Sequence, residues 1–238
     1  MEINRGKLVF KGLIKGRLVK RYKRFLADIE LESGEIVTAH CTNSGSMKGC
    51  IKEGADVYIS PQNRPERKLK YTWEMIQMPE SLVGINTLVP NKIAGSALSS
   101  GMIKEFSSYN KVKPEITTSK GTRLDFLLEG ENQKKAYVEV KNCTLVEKRH
   151  AYFPDAVTIR GQKHLKELER LVFEGFETAV FFLIQRTDAD FFSPADHIDP
   201  GYGKLLRQVY ENGVKIIVYD TLVKPGSIEL NKRVKIRL

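Results

Sequence analysis

Cysteine is scarce in this chain, and its pattern excludes two structural devices. Cys41, Cys50 and Cys143 are three in number, so they make no paired disulfide framework. With His40 they match no zinc-finger spacing, and buried free thiols are the expected state. Long apolar runs are missing too. No segment approaches the length needed to cross a bilayer, and the N-terminus lacks the apolar core of a signal peptide, so the cytoplasm is the expected compartment. There is no internal repeat, no low-complexity segment and no stretch with helix-turn-helix character. The last absence speaks against promoter reading by a recognition helix. Acid is short relative to base: 29 Asp and Glu stand against 39 Lys and Arg, for a net charge of +10. Residues 1–24 hold nine of those bases and one acid, which places +8 there and leaves +2 for everything else. A basic strip inside a folded domain points to a polyanionic partner, nucleic acid above all, with a merely solvated basic face as the plain alternative.

What is present describes a globular protein. The hydrophobic content of 41% and charged content of 29% are ordinary, and 238 residues suffice for one large domain or two small ones. The first 80 residues read as short strands and Gly-rich turns. An apolar run opens at Leu8-Val-Phe10, Leu18-Val19 follows, and Phe25 to Leu31 alternates. Ser33-Gly34 makes a tight turn, 35–41 returns as the partner strand, and Thr42 to Ser46 is a loop. Strands are predicted at 55–60 and 69–78, with a turn at 61–65. Five such strands suggest an OB-fold-like barrel over residues 1–82, a sandwich or SH3-like barrel being the alternatives. Tyr22, Tyr71 and Trp73 are its candidate base-stacking rings, each equally suited to the core.

Past a boundary at Pro79 to Pro90 the pattern changes. Asn91 is predicted to cap a helix running to about Tyr109, a strand is expected at 115–118, and a hairpin follows. Residues 142–155 read as a polar loop, 162–173 as a helix and 178–185 as a buried strand. A loop at 186–202, a helix at 204–212, a strand at 214–220 and a basic tail forming an edge strand complete the chain. The expected fold class is therefore α+β with two domains: the barrel, then an α/β domain with a mixed central sheet over 83–238.

The hairpin carries the chemistry. Asp125 lies on its first strand. The second, Ala136 to Lys141, alternates so that Val138 and Val140 face one way and Glu139 and Lys141 the other. Two carboxylates and an ammonium on a rigid sheet suit a divalent cation and a phosphodiester, because Mg²⁺ takes hard oxygen ligands and lowers the pKa of bound water. The same residues also fit a solvent-facing ion pair, and only context separates the two.

That order of elements resembles the PD-(D/E)xK nuclease superfamily, in which a strand ending in Asp precedes one bearing Glu-x-Lys. The resemblance implies catalytic roles for Asp125, Glu139 and Lys141, a metal held by Asp125 and Glu139 with Glu105 as a further acidic ligand, and a site residue near Gln162 and Lys163. Eight motifs in order, including His40-Cys-Thr-Asn-Ser-Gly-Ser-Met47, Arg123-Leu-Asp-Phe126, Val138-Glu-Val-Lys141, Phe153-Pro-Asp-Ala156 and Arg160-Gly-Gln-Lys-His-Leu165, resemble the sugar fermentation stimulation protein A family. This implies an OB-fold, a nuclease-like domain and a DNA-binding, regulatory role in sugar metabolism. Thr42 stands where that family's loop is expected to hold Pro.

The expected nucleic-acid contacts are Lys15, Arg17, Lys20, Arg21, Lys23 and Arg24 on the barrel, Ser44 and Ser46 as an anion nest, and Arg160 and Arg186 as phosphate clamps. Arg160 and Arg186 are equally placed to pair with Asp155 or Asp188, and His164 reads as a surface residue. Asp188, Asp190, Asp196 and Asp199 are expected in capping and turn roles. Three functions follow: a Mg²⁺- or Mn²⁺-dependent nuclease, a non-catalytic DNA-binding regulator, or an RNA-associated accessory protein. The complete Asp, Glu and Lys set favours the enzyme, since plain binding has no use for an unneutralised acidic pair, and DNA is the preferred partner.

Overall fold

The computed structural model describes residues 1–62 and 66–238 and opens on two short strands, β1 (Glu2–Asn4) and β2 (Lys7–Val9). Then come β3 (Ile14–Tyr22), β4 (Leu26–Leu31), β5 (Ile36–His40), β6 (Asp56–Pro61), β7 (Tyr71–Gln77) and β8 (Leu82–Gly84). Antiparallel pairing links β3 to β4 and β6, β4 to β5, and β6 to β7. A short parallel contact, Ala39↔Tyr71 and His40↔Thr72, joins β5 to β7 and closes five strands into a barrel. Closure follows from the alternation: Leu18, Ala27, Ile29, Val37, Ala39, Val57 and Ile59 point inward to one core with Trp73. Trp73 is fully buried and its indole N–H donates to Met75 O at 2.9 Å, so it packs the core and stacks nothing. Gly34, at φ +83°, makes the expected tight turn. The turn read at 61–65 reaches into residues 63–65, outside the described part of the chain.

The second half begins with α1 (Val89–Ser99), then β9 (Tyr109–Ser119), β10 (Thr122–Gly130), β11 (Lys135–Cys143), β12 (Leu145–Glu147) and β13 (His150–Phe153). Next come α2 (Ile159–Phe173), β14 (Glu177–Ile184), β15 (Phe191–Pro194), α3 (Pro200–Glu211), β16 (Lys215–Lys224), β17 (Ser227–Arg233) and β18 (Lys235–Ile236). An eight-stranded mixed sheet runs β1-β2-β17-β16-β14-β11-β10-β9, parallel only at β11–β14–β16. Its faces are apolar for different partners. Ala136, Val138 and Val140 share a core with Ile93, Ala94 and Ala97 of α1, while Val180, Phe182 and Ile184 share another with Leu165, Leu168 and Leu171 of α2 and Leu205, Leu206 and Val209 of α3. No helix among the described residues is long and apolar enough to cross a membrane.

Several boundaries differ from the sequence reading. β1 and β2 leave the barrel and pair with β17, so the chain's first residues belong to the second sheet. β17, expected at an edge, is consequently internal. α1 starts two residues before Asn91 and stops at Ser99, because Pro90 sits in its first turn and Gly101, at φ +68°, ends it. The stretch read as a loop at 142–155 holds β12 and β13, which join β15 and β18 in a small sheet of their own.

The halves are packed together. Met75 and Leu82 from the barrel enter the α1 core. Gly84 N donates to Gln185 O at 2.9 Å, an approach that a Cβ on Gly84 would block by meeting the Gln185 side chain at 2.5 Å. Glu74, fully buried on β7, accepts from Ser60 Oγ at 2.6 Å and Asn86 Nδ2 at 2.8 Å. Burial pushes its carboxyl up and those two donors pull it back only in part. Thr42 Oγ1 donates to Asn86 Oδ1 and accepts from Thr87 N at 3.0 Å, so the departure from the expected Pro adds side-chain bonds across the same junction.

Candidate active site

Strand alternation brings Glu139 and Lys141 onto the α2 face of the sheet, while Val138 and Val140 turn to α1. Lys141 Nζ lies 2.5 Å from Glu139 Oε1. His164, one turn into α2, brings Nδ1 against the same oxygen and lies 3.2 Å from Lys141 Nζ. All three side chains are largely buried. Burial alone would raise the Glu139 carboxyl; the His164 hydrogen bond and the Lys141 charge outweigh it, and the group sits below the ordinary glutamate value. Its other oxygen, Oε2, is buried without a hydrogen-bond partner among the described residues.

Asp125 reaches this cluster where the hairpin parts. Pairing between β10 and β11 runs from Glu129↔Lys135 to Phe126↔Val138 and stops. In the gap, Asp125 Oδ2 accepts from Val140 N at 2.8 Å and Oδ1 accepts from Asn91 Nδ2 at 2.6 Å. Burial and the neighbouring Glu139 charge push its carboxyl up to about 6, against the pull of Val140 N, Lys141 and Asn91. Asp125 is thus left short of positive charge, and one buried Glu139 oxygen is orphaned. A hard divalent cation with oxygen ligands fits that deficit.

Two cavities flank the cluster. On the α1 side, about 630 Å³ opens beside Asp125 and Asn91 over Phe126, Val112 and Pro114. On the α2 side, a groove of about 610 Å³ is lined by Arg123, Arg160, Lys163 and His164 and by no acidic residue.

The remaining expected residues are dispersed. Glu105 forms an ion pair with Arg233 of β17, three strands from β11, and does not join Asp125 and Glu139. Arg186 is buried, with Nε and Nη2 donating to Asp188 at 2.6 and 2.5 Å and Nη1 to Gly49 O and Thr144 O. It ties the barrel to the sheet and has no arm left for a phosphate. The loop read as an anion nest already holds an anion, for Ser46 Oγ donates to Asp155 O at 2.8 Å and Met47 N donates to Asp155 Oδ2 at 3.1 Å. Ser44 is exposed. Lys15 pairs with Asp56 at 2.7 Å and Lys20 with Asp28 at 3.8 Å, whereas Arg17, Lys23 and Arg24 are exposed. Arg21 donates to the carbonyls of Arg24, Asn43 and Gly45. Asp188, Asp190 and Asp196 pair with Arg186, Arg149 and Arg207, and Asp199 caps α3.

Sequence reasoning missed two neighbours of the site. Asn91, read as a helix cap, is inside α1 and holds Asp125. His164, read as a surface residue, is buried against Glu139. A signal for the second existed: His164, Leu168 and Leu171 stand at i, i+4 and i+7, the apolar stripe of α2. Gln162 turns to Asp199 at 3.2 Å and Lys163 to Gly121 O at 2.9 Å.

Comparison with known proteins places this geometry among relatives. The family description "Sugar fermentation stimulation protein RE domain" matches residues 88–227, and "SfsA N-terminal OB domain" matches residues 19–85. A sugar fermentation stimulation protein homolog of Geotalea uraniireducens is 49% identical over 226 residues, covering 95% of this chain and 97% of the relative. One from Pelobacter propionicus is also 49% identical, over 95% of this chain and 98% of its own. Among solved structures, Pyrococcus furiosus SfsA, described as in complex with Ca²⁺, superposes with a TM-score of 0.88 at 24% identity, over 97% of this chain and 98% of that one. At that identity the likeness shows the fold.

Proposed function

The chain belongs to the sugar fermentation stimulation protein family, and from its own site we propose that it binds nucleic acid, DNA in preference to RNA, and cleaves phosphodiesters with a divalent cation. The observation that carries this reading is the carboxylate pair: Asp125 held up to about 6 beside Glu139, whose buried Oε2 has no partner. A purely binding surface gains nothing from acid aimed at a polyanion. Asp125 Oδ atoms and Glu139 Oε2 are the oxygens that would hold Mg²⁺ or Mn²⁺, and the Ca²⁺ in the description of the Pyrococcus furiosus structure is in keeping with a hard cation. When bound, the ion would supply Lewis-acid charge and a more acidic water. The protein's own groups do the rest. Lys141 places an ammonium where negative charge grows on the phosphoryl oxygens, and burial strengthens that interaction. His164 is a positioning residue that fixes Glu139 Oε1 and Lys141 Nζ together. Asn91 and Val140 N aim Asp125. Arg123, Arg160 and Lys163 supply cations for flanking phosphates.

The test is cleavage of single-stranded, duplex and structured DNA and RNA with Mg²⁺ or Mn²⁺, beside Glu139→Ala and Lys141→Ala. Metal-dependent products that vanish in both variants, with folding and binding intact, support the reading. Tight binding without products from any substrate refutes cleavage and leaves a non-catalytic regulator as the function. Lys141 and His164, which already satisfy Glu139 Oε1, are the observation in that regulator's favour.

A further inference from the structure

The barrel's Trp73 is in its core, and Tyr22 and Tyr71 are mostly covered. Among the described residues, Phe25 is the one barrel aromatic that is more than half exposed, at 51%. It ends the three-residue tip between β3 and β4, directly after Lys23 and Arg24, whose positive φ values (49° and 65°) make the tight hairpin turn. A ring following two cations at an exposed hairpin tip has the make-up of a base platform.

Hydrogen bonds connect this tip to the basic groove. Arg21 holds Arg24 O at 2.7 Å, Asn43 O at 2.9 Å and Gly45 O at 3.1 Å. Ser46, in the same loop, holds Asp155 O. Asp155 leads within three residues to Thr158, the N-cap of α2. Arg160 and Lys163 follow on that helix and face the groove that ends at His164. Lys163 spends its hydrogen bond on a neutral carbonyl, and Arg123 has only an exposed partner, Glu115, at 3.4 Å. The groove's positive charge is therefore largely uncompensated and lies next to Glu139 and Lys141.

Resting on the proposed nucleic-acid function, we infer that the substrate is a single strand, anchored at two points: its phosphates in the Arg123–Arg160–Lys163 groove, and an unstacked base on Phe25, next to Lys23 and Arg24 in the chain. A base inside a duplex cannot lay its face on a side chain without leaving its stack, so the platform selects for single strands.

Fluorescence anisotropy in EDTA tests this without turnover, using a labelled oligothymidylate of about 20 nucleotides and a duplex of equal length. Phe25→Ala is expected to weaken single-strand binding roughly 5- to 100-fold. Arg160→Ala/Lys163→Ala is expected to weaken it as well and to flatten the slope of log K against log salt by about 1.4. Lys11→Ala, which removes an exposed cation paired with Glu2 away from this path, serves as a charge control and should stay within about twofold of wild type. The inference is overturned if Phe25→Ala binds like wild type, if it weakens duplex and single strand equally, or if the double variant keeps the wild-type slope. Wild-type protein that binds no polynucleotide, with or without metal, sinks the proposed function too; binding that ignores these substitutions sinks the path alone.

Discussion

Arg186→Met should damage the fold, and its size can be worked from the contacts it removes. The Arg186 side chain is 5% exposed and that of Asp188 7%, and their two bonds are 2.6 and 2.5 Å long. Methionine leaves that carboxylate buried without a counter-charge and releases the carbonyls of Gly49 and Thr144. Stranding one partner of a buried pair costs about 3–5 kcal/mol. In a chain of 238 residues, where 1 kcal/mol moves the melting temperature by about 2–4 °C, the midpoint should fall by about 6–20 °C. The assay is thermal unfolding followed by circular dichroism at pH 7, in the double-mutant cycle Arg186→Met, Asp188→Leu and both together. The double variant should recover part of the loss, because it strands no charge. If Arg186 were instead a phosphate clamp, the single variant would melt within about 2 °C of wild type and lose DNA binding. That pair of results would refute the reasoning from burial.

Two further predictions follow from pKa displacement. Asp125 sits at about 6 in the fold against an ordinary 3.8, so its ionisation opposes folding above pH 6. Asp125→Asn should therefore stabilise the protein by on the order of 2–3 kcal/mol at pH 8, an advantage that shrinks as the pH falls through 6 and is gone below 4; an equal gain at pH 3.5 and pH 8 would exclude titration as its cause. Burial raises the Cys50 thiol to about 11 and the Cys143 thiol to about 12, and raises Cys41 as well. Ellman's reagent at pH 8 should find no fast thiol in the folded protein and three after denaturation, and a fast thiol in the native state would contradict the buried placement.

The pattern of what was legible has a physical cause. Asp125, Glu139 and Lys141 were readable because a strand's period of two is local, and the hairpin that joins their strands is closed by adjacent residues. The barrel was readable for the same reason. Asn91 was misread because its context includes an acid 34 positions away, while its nearest neighbours resemble a cap. Glu105 was misassigned because a helix-borne acid says nothing of which strand it will meet, and here it meets Arg233. The four strands of the small sheet are two to four residues long, too short for a period to register, and their partners β15 and β18 arrive only from distant parts of the chain. Ser46 was misread because its acceptor lies 109 residues away, and the choice for Arg186 between clamp and ion pair stayed open because its acceptors Gly49 O and Thr144 O are far from it along the chain.

The pairing of β1 and β2 with β17 gives the molecule a buckle. Leu8 on β2 lies opposite Ile228, so β2 cannot find its place until β17 has been made. The barrel between them is complete without either strand and can form while synthesis continues. The sheet bearing Asp125 and Glu139 cannot take its full width until β17 emerges. A nascent chain therefore presents its barrel before it presents a finished site, and a cut that removes either β2 or β17 is felt at the same seam. Fastening β2 to β17 also means that the barrel is gripped on two sides, by its own exit into α1 and by the strand pair that precedes it.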